Sequence, residues 1–230
     1  MKIFTRIKFL LLSLFVLAGV SSALAQVVVT QPTGGQNISN DLSYLATGTP
    51  APSPAYTAIG NIVIAETAPG DFVAGANRTL WLDRPSTAWR FNAGVGTAIG
   101  NGPNISIVST VVSASRITVT YTVTGPTTGT NSITISGIEV QSTIRTLGTE
   151  AFIFRRGGTG GINNLVAGTS PATGANVAPL SKVAGSAASL QVLYPGQSNA
   201  PGTIGRSGTA SAQTAGVPFN VTVHAVDYAY

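Results

Sequence analysis

The sequence predicts an all-β protein: an antiparallel β-sandwich followed by the opening strands of a second β domain. Two observations carry this. After Gln26, apolar and polar residues alternate with a period of two, and the longer period of an amphipathic helix is hard to find. Glycine (27 residues) and proline (13) cluster between the alternating runs and cut the chain into many short strands. That pattern favours a sandwich over an α/β fold.

The chain opens differently. Lys2, Arg6 and Lys8 precede an apolar run, Phe9–Val20, and Ala23-Leu24-Ala25 has the small-x-small form of a cleavage site. Residues 1–25 read as a secretory signal peptide. The run falls short of the roughly twenty residues that span a bilayer. An uncleaved anchor is the competing reading. A mature chain from Gln26 loses three basic residues and no acidic one. Nine basic and seven acidic residues remain, and the formal charge falls from +5 to +2. The expected localisation is secreted, extracellular or cell-surface, with no membrane insertion after cleavage. A nucleic-acid partner loses most of its support. Charged residues make up only 8% of the chain, so Thr, Ser, Asn and Gly supply the polarity. Cysteine is absent, and the core must provide stability without disulfides.

The sandwich domain is expected over residues 26–168. Its clearest strand is Ile117–Thr124, with Ile117, Val119, Tyr121 and Val123 on one face and four threonines on the other. In the next, "NSITISGIEVQ", Ile133 and Ile135 share one phase, Ile138 and Val140 the opposite one, and Gly137 sits between them. A bulge at Gly137 would return both pairs to the core. The "GPTTG" turn at Gly125–Gly129 predicts that these two strands form an antiparallel hairpin. Further strands are expected at Val27–Thr30, Ala58–Thr67, Thr79–Leu82, Ala88–Phe91, Ile105–Val112 and Ala151–Arg155. Gly48–Pro54 and Ala68–Asn77 read as loops. Residues 169–188 read as a low-complexity linker. Within 189–230, "SLQVLYPGQ" is a short strand with a Pro-Gly turn. In the closing strand, Val217, Phe219, Val221, Val223 and Ala225 point one way and Asn220, Thr222 and His224 the other.

Ser189–Asp227 resembles the start of an immunoglobulin-like repeat of bacterial surface proteins. The motif "TAGxxFxVTVxAVD" is carried by Thr214, Ala215, Gly216, Phe219, Val221, Thr222, Val223, Ala225, Val226 and Asp227. Ile59–Pro85 resembles, more weakly, β modules of surface-layer proteins. The resemblance implies a sandwich of immunoglobulin-like or cohesin-like type, then an incomplete immunoglobulin-like domain, in a structural or adhesive, non-enzymatic protein. A complete immunoglobulin-like sandwich takes about seven strands, and an isolated hairpin is marginal in water. The expectation is therefore the N-terminal fragment of a larger multidomain extracellular protein. Completion in trans, by strand addition through Val217–Val226 to another surface protein, is an alternative; so is packing of that strand on the first domain.

Candidate chemistry is sparse. His224 is the single histidine; it has Asp227 nearby but no serine in a nucleophile elbow, so a catalytic triad is not expected. One histidine and no cysteine exclude the usual zinc sites, and neither metal nor cofactor is expected. Glu66 and Asp71 flank a Gly-rich loop and could share an ion, although a solvated loop is the simpler expectation. Arg155–Gly161, "RRGGTGG", lacks the Lys-Ser/Thr of a phosphate loop and reads as a turn with two exposed arginines. Trp89 is in phase with Phe91 and should be core. Trp81 lies opposite Leu80 and Leu82, and it is the candidate ligand-binding residue: exposed, it would stack on a sugar and make this a carbohydrate-binding module. Burial under a second packed layer is the competing reading.

Overall fold

A computed structural model describes residues 27–43, 55–125, 128–144, 147, 151–201 and 205–228. The expected signal peptide and the loop at Gly48–Pro54 lie outside the described residues. The first strands are β1 (Val27–Thr30), β2 (Ile38–Ser39), β3 (Thr57–Ala58) and β4 (Ile62–Glu66). Next come β5 (Gly75–Asp83), β6 (Trp89–Phe91), β7 (Thr97–Asn101), β8 (Ile105–Val112) and β9 (Arg116–Val123). They are followed by β10 (Ser132–Ser136), β11 (Glu139–Ser142), β12 (Ala151–Gly157), β13 (Asn176–Leu180) and β14 (Lys182–Val183). The last are β15 (Ser189–Leu193), β16 (Ser198–Ala200), β17 (Gly205–Ser207) and β18 (Thr222–Val226).

The protein is all-β, and its sheets are antiparallel except for the short parallel pair of β14 and β2. One layer of the sandwich is a five-stranded sheet, in the order β13-β12-β5-β9-β8; a four-stranded sheet, β1-β4-β10-β7, supplies the other. A smaller sheet, β3-β11-β6, closes the side. Alternation explains the core. Ile117, Val119, Tyr121 and Val123 of β9 are buried together with Leu80 and Leu82 of β5, and they share one apolar cluster with Ile62, Ile64, Ile133 and Ile135 of the other layer. Each such side chain contributes about 1.5–3 kcal/mol by leaving water. Phe72 meets the Tyr121 ring edge-on at a centroid distance of 6.0 Å. Trp89 is core, as its phase with Phe91 predicts.

Three expectations are corrected. First, β9 and β10 are not a hairpin. β9 pairs with β8 and β5, whereas β10 pairs with β4 and β7. The chain therefore changes layer between β9 and β10, and alternation reveals which face is dry but not which strand lies alongside. Second, Gly137 is a sheet switch rather than a bulge within one strand. Its φ of +67° turns the chain, so that β10 stays in the four-stranded sheet and β11 enters the three-stranded one. Ile133, Ile135, Ile138 and Val140 are all buried as a result.

Third, the segment expected as a linker holds β13 and β14. Val177, Ala178 and Leu180 are buried on the edge of the five-stranded sheet. Pro179 is tolerated there because an edge strand has one side without a ladder to donate to. β15 pairs with β18 as a wide hairpin, and β16 with β17 as a second pair set inside its connection. The former is fastened to the sandwich by polar contacts: Tyr228 N donates to Asp41 Oδ1 (3.0 Å), and Gly185 N, just beyond β14, donates to Asp227 Oδ2 (2.7 Å).

Candidate functional site

Trp81 lies on the outer face of the five-stranded sheet, opposite Thr118 of β9 and Gly157 of β12. It is half-buried rather than open. The Arg116 guanidinium lies 4.5 Å from the centre of its ring, a cation–π contact that occupies one aromatic face. Arg116 is locked there by a forked pair with Asp83, Nε to Oδ1 at 2.6 Å and Nη2 to Oδ2 at 2.9 Å. The bond to Asp83 raises the Arg116 pKa, against the opposing effect of burial. A sugar could stack on that face only by displacing Arg116. The platform expected of Trp81 is therefore partly closed.

The same residues open onto something the sequence reading did not single out. Next to Asp83, where β5 ends and β9 begins, lies a surface cleft of about 350 Å³. Arg84, Arg116 and Arg156 line it together with Asp83, over a floor that includes the buried Phe154. Arg84 donates through Nη1 to the Trp89 carbonyl (2.8 Å). Arg156 Nε approaches Asp83 Oδ2 at 3.8 Å. Two guanidinium groups, those of Arg116 and Arg156, thus approach one carboxylate, and a third arginine, Arg84, lines the same cleft. Asp83, Arg116 and Arg156 come from three different strands that only the sheet register brings together, so no local motif announces them.

Glu66 and Asp71 do come together, but not in a solvated loop and not in a cleft. They are 6% and 1% exposed. Glu66 accepts from Phe72 N (2.6 Å) through Oε1, and from Asn131 N (2.7 Å) and Asn131 Nδ2 (2.9 Å) through Oε2. It is a structural acceptor that ties the loop after β4 to the start of β10. Asp71 Oδ2 is buried without a hydrogen-bond partner. Burial first, and the Glu66 charge second, raise the Asp71 pKa. The folded protein therefore holds this proton more tightly than the unfolded chain, whose Asp titrates near 3.8. Asp71 then favours folding most at low pH, and stability is lost as pH rises from 3.8 through the raised value. The variant D71N should melt above the wild type at pH 7, and the gap should close as the pH is lowered toward 3.8. Equal melting temperatures at pH 7 would show that the carboxylate carries no penalty.

Arg155, expected to be exposed, is 6% exposed. Its guanidinium donates to the carbonyls of Gly160 (2.7 Å), Ile162 (3.1 Å) and Leu165. His224 is half-buried on β18, opposite Gln191 of β15. Among the described residues, no three His, Cys, Asp or Glu side chains are grouped as metal ligands would be.

The remaining candidate surface is the β15–β18 hairpin. Its register pairs Leu190 with Ala225 and Val192 with Val223 on one face, and Gln191 with His224 on the other. The apolar face points to solvent: Leu190 is 73% and Val223 54% exposed, with Val192 and Val221 also exposed. Tyr194 and Phe219 extend it, their ring centroids 6.3 Å apart. Gln191, on the polar face, donates to Gly205 O of β17 (2.6 Å). The strand expected over Val217–Val226 is regular only from Thr222, and β15 is its sole ladder partner among the described residues.

No protein-family model, curated protein or solved structure matches this chain. Among the described residues no helix is long and apolar enough to cross a membrane.

Proposed function

We propose that this protein is a secreted, non-enzymatic structural module of a bacterial surface, which assembles with other surface proteins through its C-terminal hairpin. One observation carries the reading: the β15–β18 hairpin turns its apolar face outward. Leu190, Val192, Tyr194, Phe219, Val221 and Val223 are all exposed, and apolar surface gathered in one place beyond a few hundred Å² marks interaction sites. Each strand also keeps one edge without a ladder among the described residues, the feature through which strand addition works. The likeness of Ser189–Asp227 to an immunoglobulin-like repeat, and the signal-like residues 1–25, support the extracellular setting.

The first partner to test is a second copy of this chain. Those six residues are uncharged, so two identical patches meet without repulsion. Sedimentation velocity of the mature protein between 1 and 100 µM (roughly the range over which modest interfaces associate) should show concentration-dependent dimers. The variant L190K/V223K should remain monomeric. A wild type that stays monomeric throughout would refute self-assembly through this face.

A further inference from the structure

We propose that the arginine-lined cleft beside Asp83 binds an anionic saccharide, a sugar bearing a carboxylate or a sulfate. Asp83 is engaged in the forked pair with Arg116, and the cleft holds two further guanidinium groups, Arg84 and Arg156. The local balance is three cations to one anion. Arg156 is partly exposed, and its nearest ionic partner among the described residues is Asp83 at 3.8 Å. That separation is long for a hydrogen bond, so its planar donors remain available to fork onto a carboxylate or sulfate. Arg116, held rigidly between Asp83 and Trp81, is pre-organised as the second wall.

Hydroxyl groups select a sugar. Thr87, Ser115 and Thr169 are exposed and line the same cleft. They offer neutral donors and acceptors suited to a polyol ring. An acidic peptide is the other class of anion to weigh. It would gain most from an open strand edge beside the arginines. The edges of this sheet are β13 and β8, and neither lines the cleft, which draws on the inner strands β5, β9 and β12. Recognition must therefore come from side chains.

This surface is distinct from the hairpin, so the two proposals fail separately. The test is calorimetric titration of the mature protein with four probes: galacturonate oligosaccharides, dextran sulfate oligosaccharides, neutral dextran oligosaccharides and polyglutamate. Saturable binding of the carboxylated or the sulfated sugar, but not of dextran or polyglutamate, is the expected result; comparing the first two arms identifies the anion. R156A should weaken that binding about tenfold or more, the usual effect of losing a charge-assisted hydrogen bond. R206A, which removes a cation on β17, should leave it unchanged, and so should L190K/V223K. A wild-type thermal melt for R156A would confirm that its fold is intact. Failure of both anionic sugars to bind would overturn the proposal. So would equal binding of polyglutamate, or equal losses in R156A and R206A, because either result reduces the effect to general charge.

Discussion

Replacing Arg155 with alanine is expected to lower the stability of the sandwich by about 3–5 kcal/mol, seen as a fall in Tm on the order of 10 °C. The guanidinium is buried and donates to three backbone carbonyls, those of Gly160, Ile162 and Leu165. It fixes the loop after β12 against the body of the protein. That loop is pinned from the other side too: Phe72 bridges to Ile162, and Val73 N donates to Gly161 O (2.8 Å). R155A would take a donor from three carbonyls, of which Gly160 O still accepts from Ile162 N (3.1 Å), and would leave a cavity. Burial lowers the Arg155 pKa, an effect the neighbouring Tyr121 opposes, yet an arginine begins so far above neutrality that the charge persists. The Tyr121 hydroxyl shows the same dry surroundings, its pKa pushed up to about 12 mainly by burial. R155K separates charge from geometry. It keeps the cation but lacks a planar fork that reaches three carbonyls, so it should recover only part of the loss. Thermal and urea unfolding of the three proteins decide the matter, and an R155A protein as stable as wild type would show that the loop holds without its cation.

The second large effect is expected at Glu66. E66A removes the acceptor for Phe72 N, Asn131 N and Asn131 Nδ2 at once, at a cost of about 3 kcal/mol or more. E66Q is the sharper variant. It keeps the volume, but its amide must turn a donor toward one of these N–H groups, so it should also destabilise. The contrast with D71N is the useful part: of two neighbouring buried carboxyls, neutralising one should harm the protein and neutralising the other should help it. Parallel melts at pH 7 test both. An E66Q protein as stable as wild type would mean that the carboxylate is not the acceptor that ties the loop to β10.

Much of the fold is legible along the chain because its signals are local. The alternation in Ile117–Val123 depends only on which face is dry, and β1 and β8 occupy the bounds expected of them. Pairing is another matter. β9 could have found its partner on either side of the sandwich, and the register that joins it to β5 and β8 depends on residues far away in sequence. β13 was hidden by composition: Asn-Val-Ala-Pro-Leu carries few bulky residues, and only its place beside β12 makes it a strand. The burial of Arg155 is illegible for a related reason. A cation in a glycine-rich stretch is ordinarily solvated, and here the chain folds its own carbonyls around it. Glycine makes that loop possible. At Gly158, with φ at +104°, a Cβ would collide with the Thr79 carbonyl. The cleft is illegible in the sequence because Asp83, Arg116 and Arg156 converge only through the register of three strands, whereas Trp81 stands out as a large residue on the face of its strand opposite Leu80 and Leu82.

The hydroxyl-bearing side of β9 has a last consequence. Thr118, Thr120 and Thr122 stand on the outer face of the five-stranded sheet, in a protein with few charges to be shielded. Water is held there by groups that neither ionise nor attract counterions. The hydration of this face should therefore change little between fresh water and dilute brine, or between mildly acidic and mildly alkaline surroundings, a steadiness that a carboxylate- and lysine-coated surface lacks.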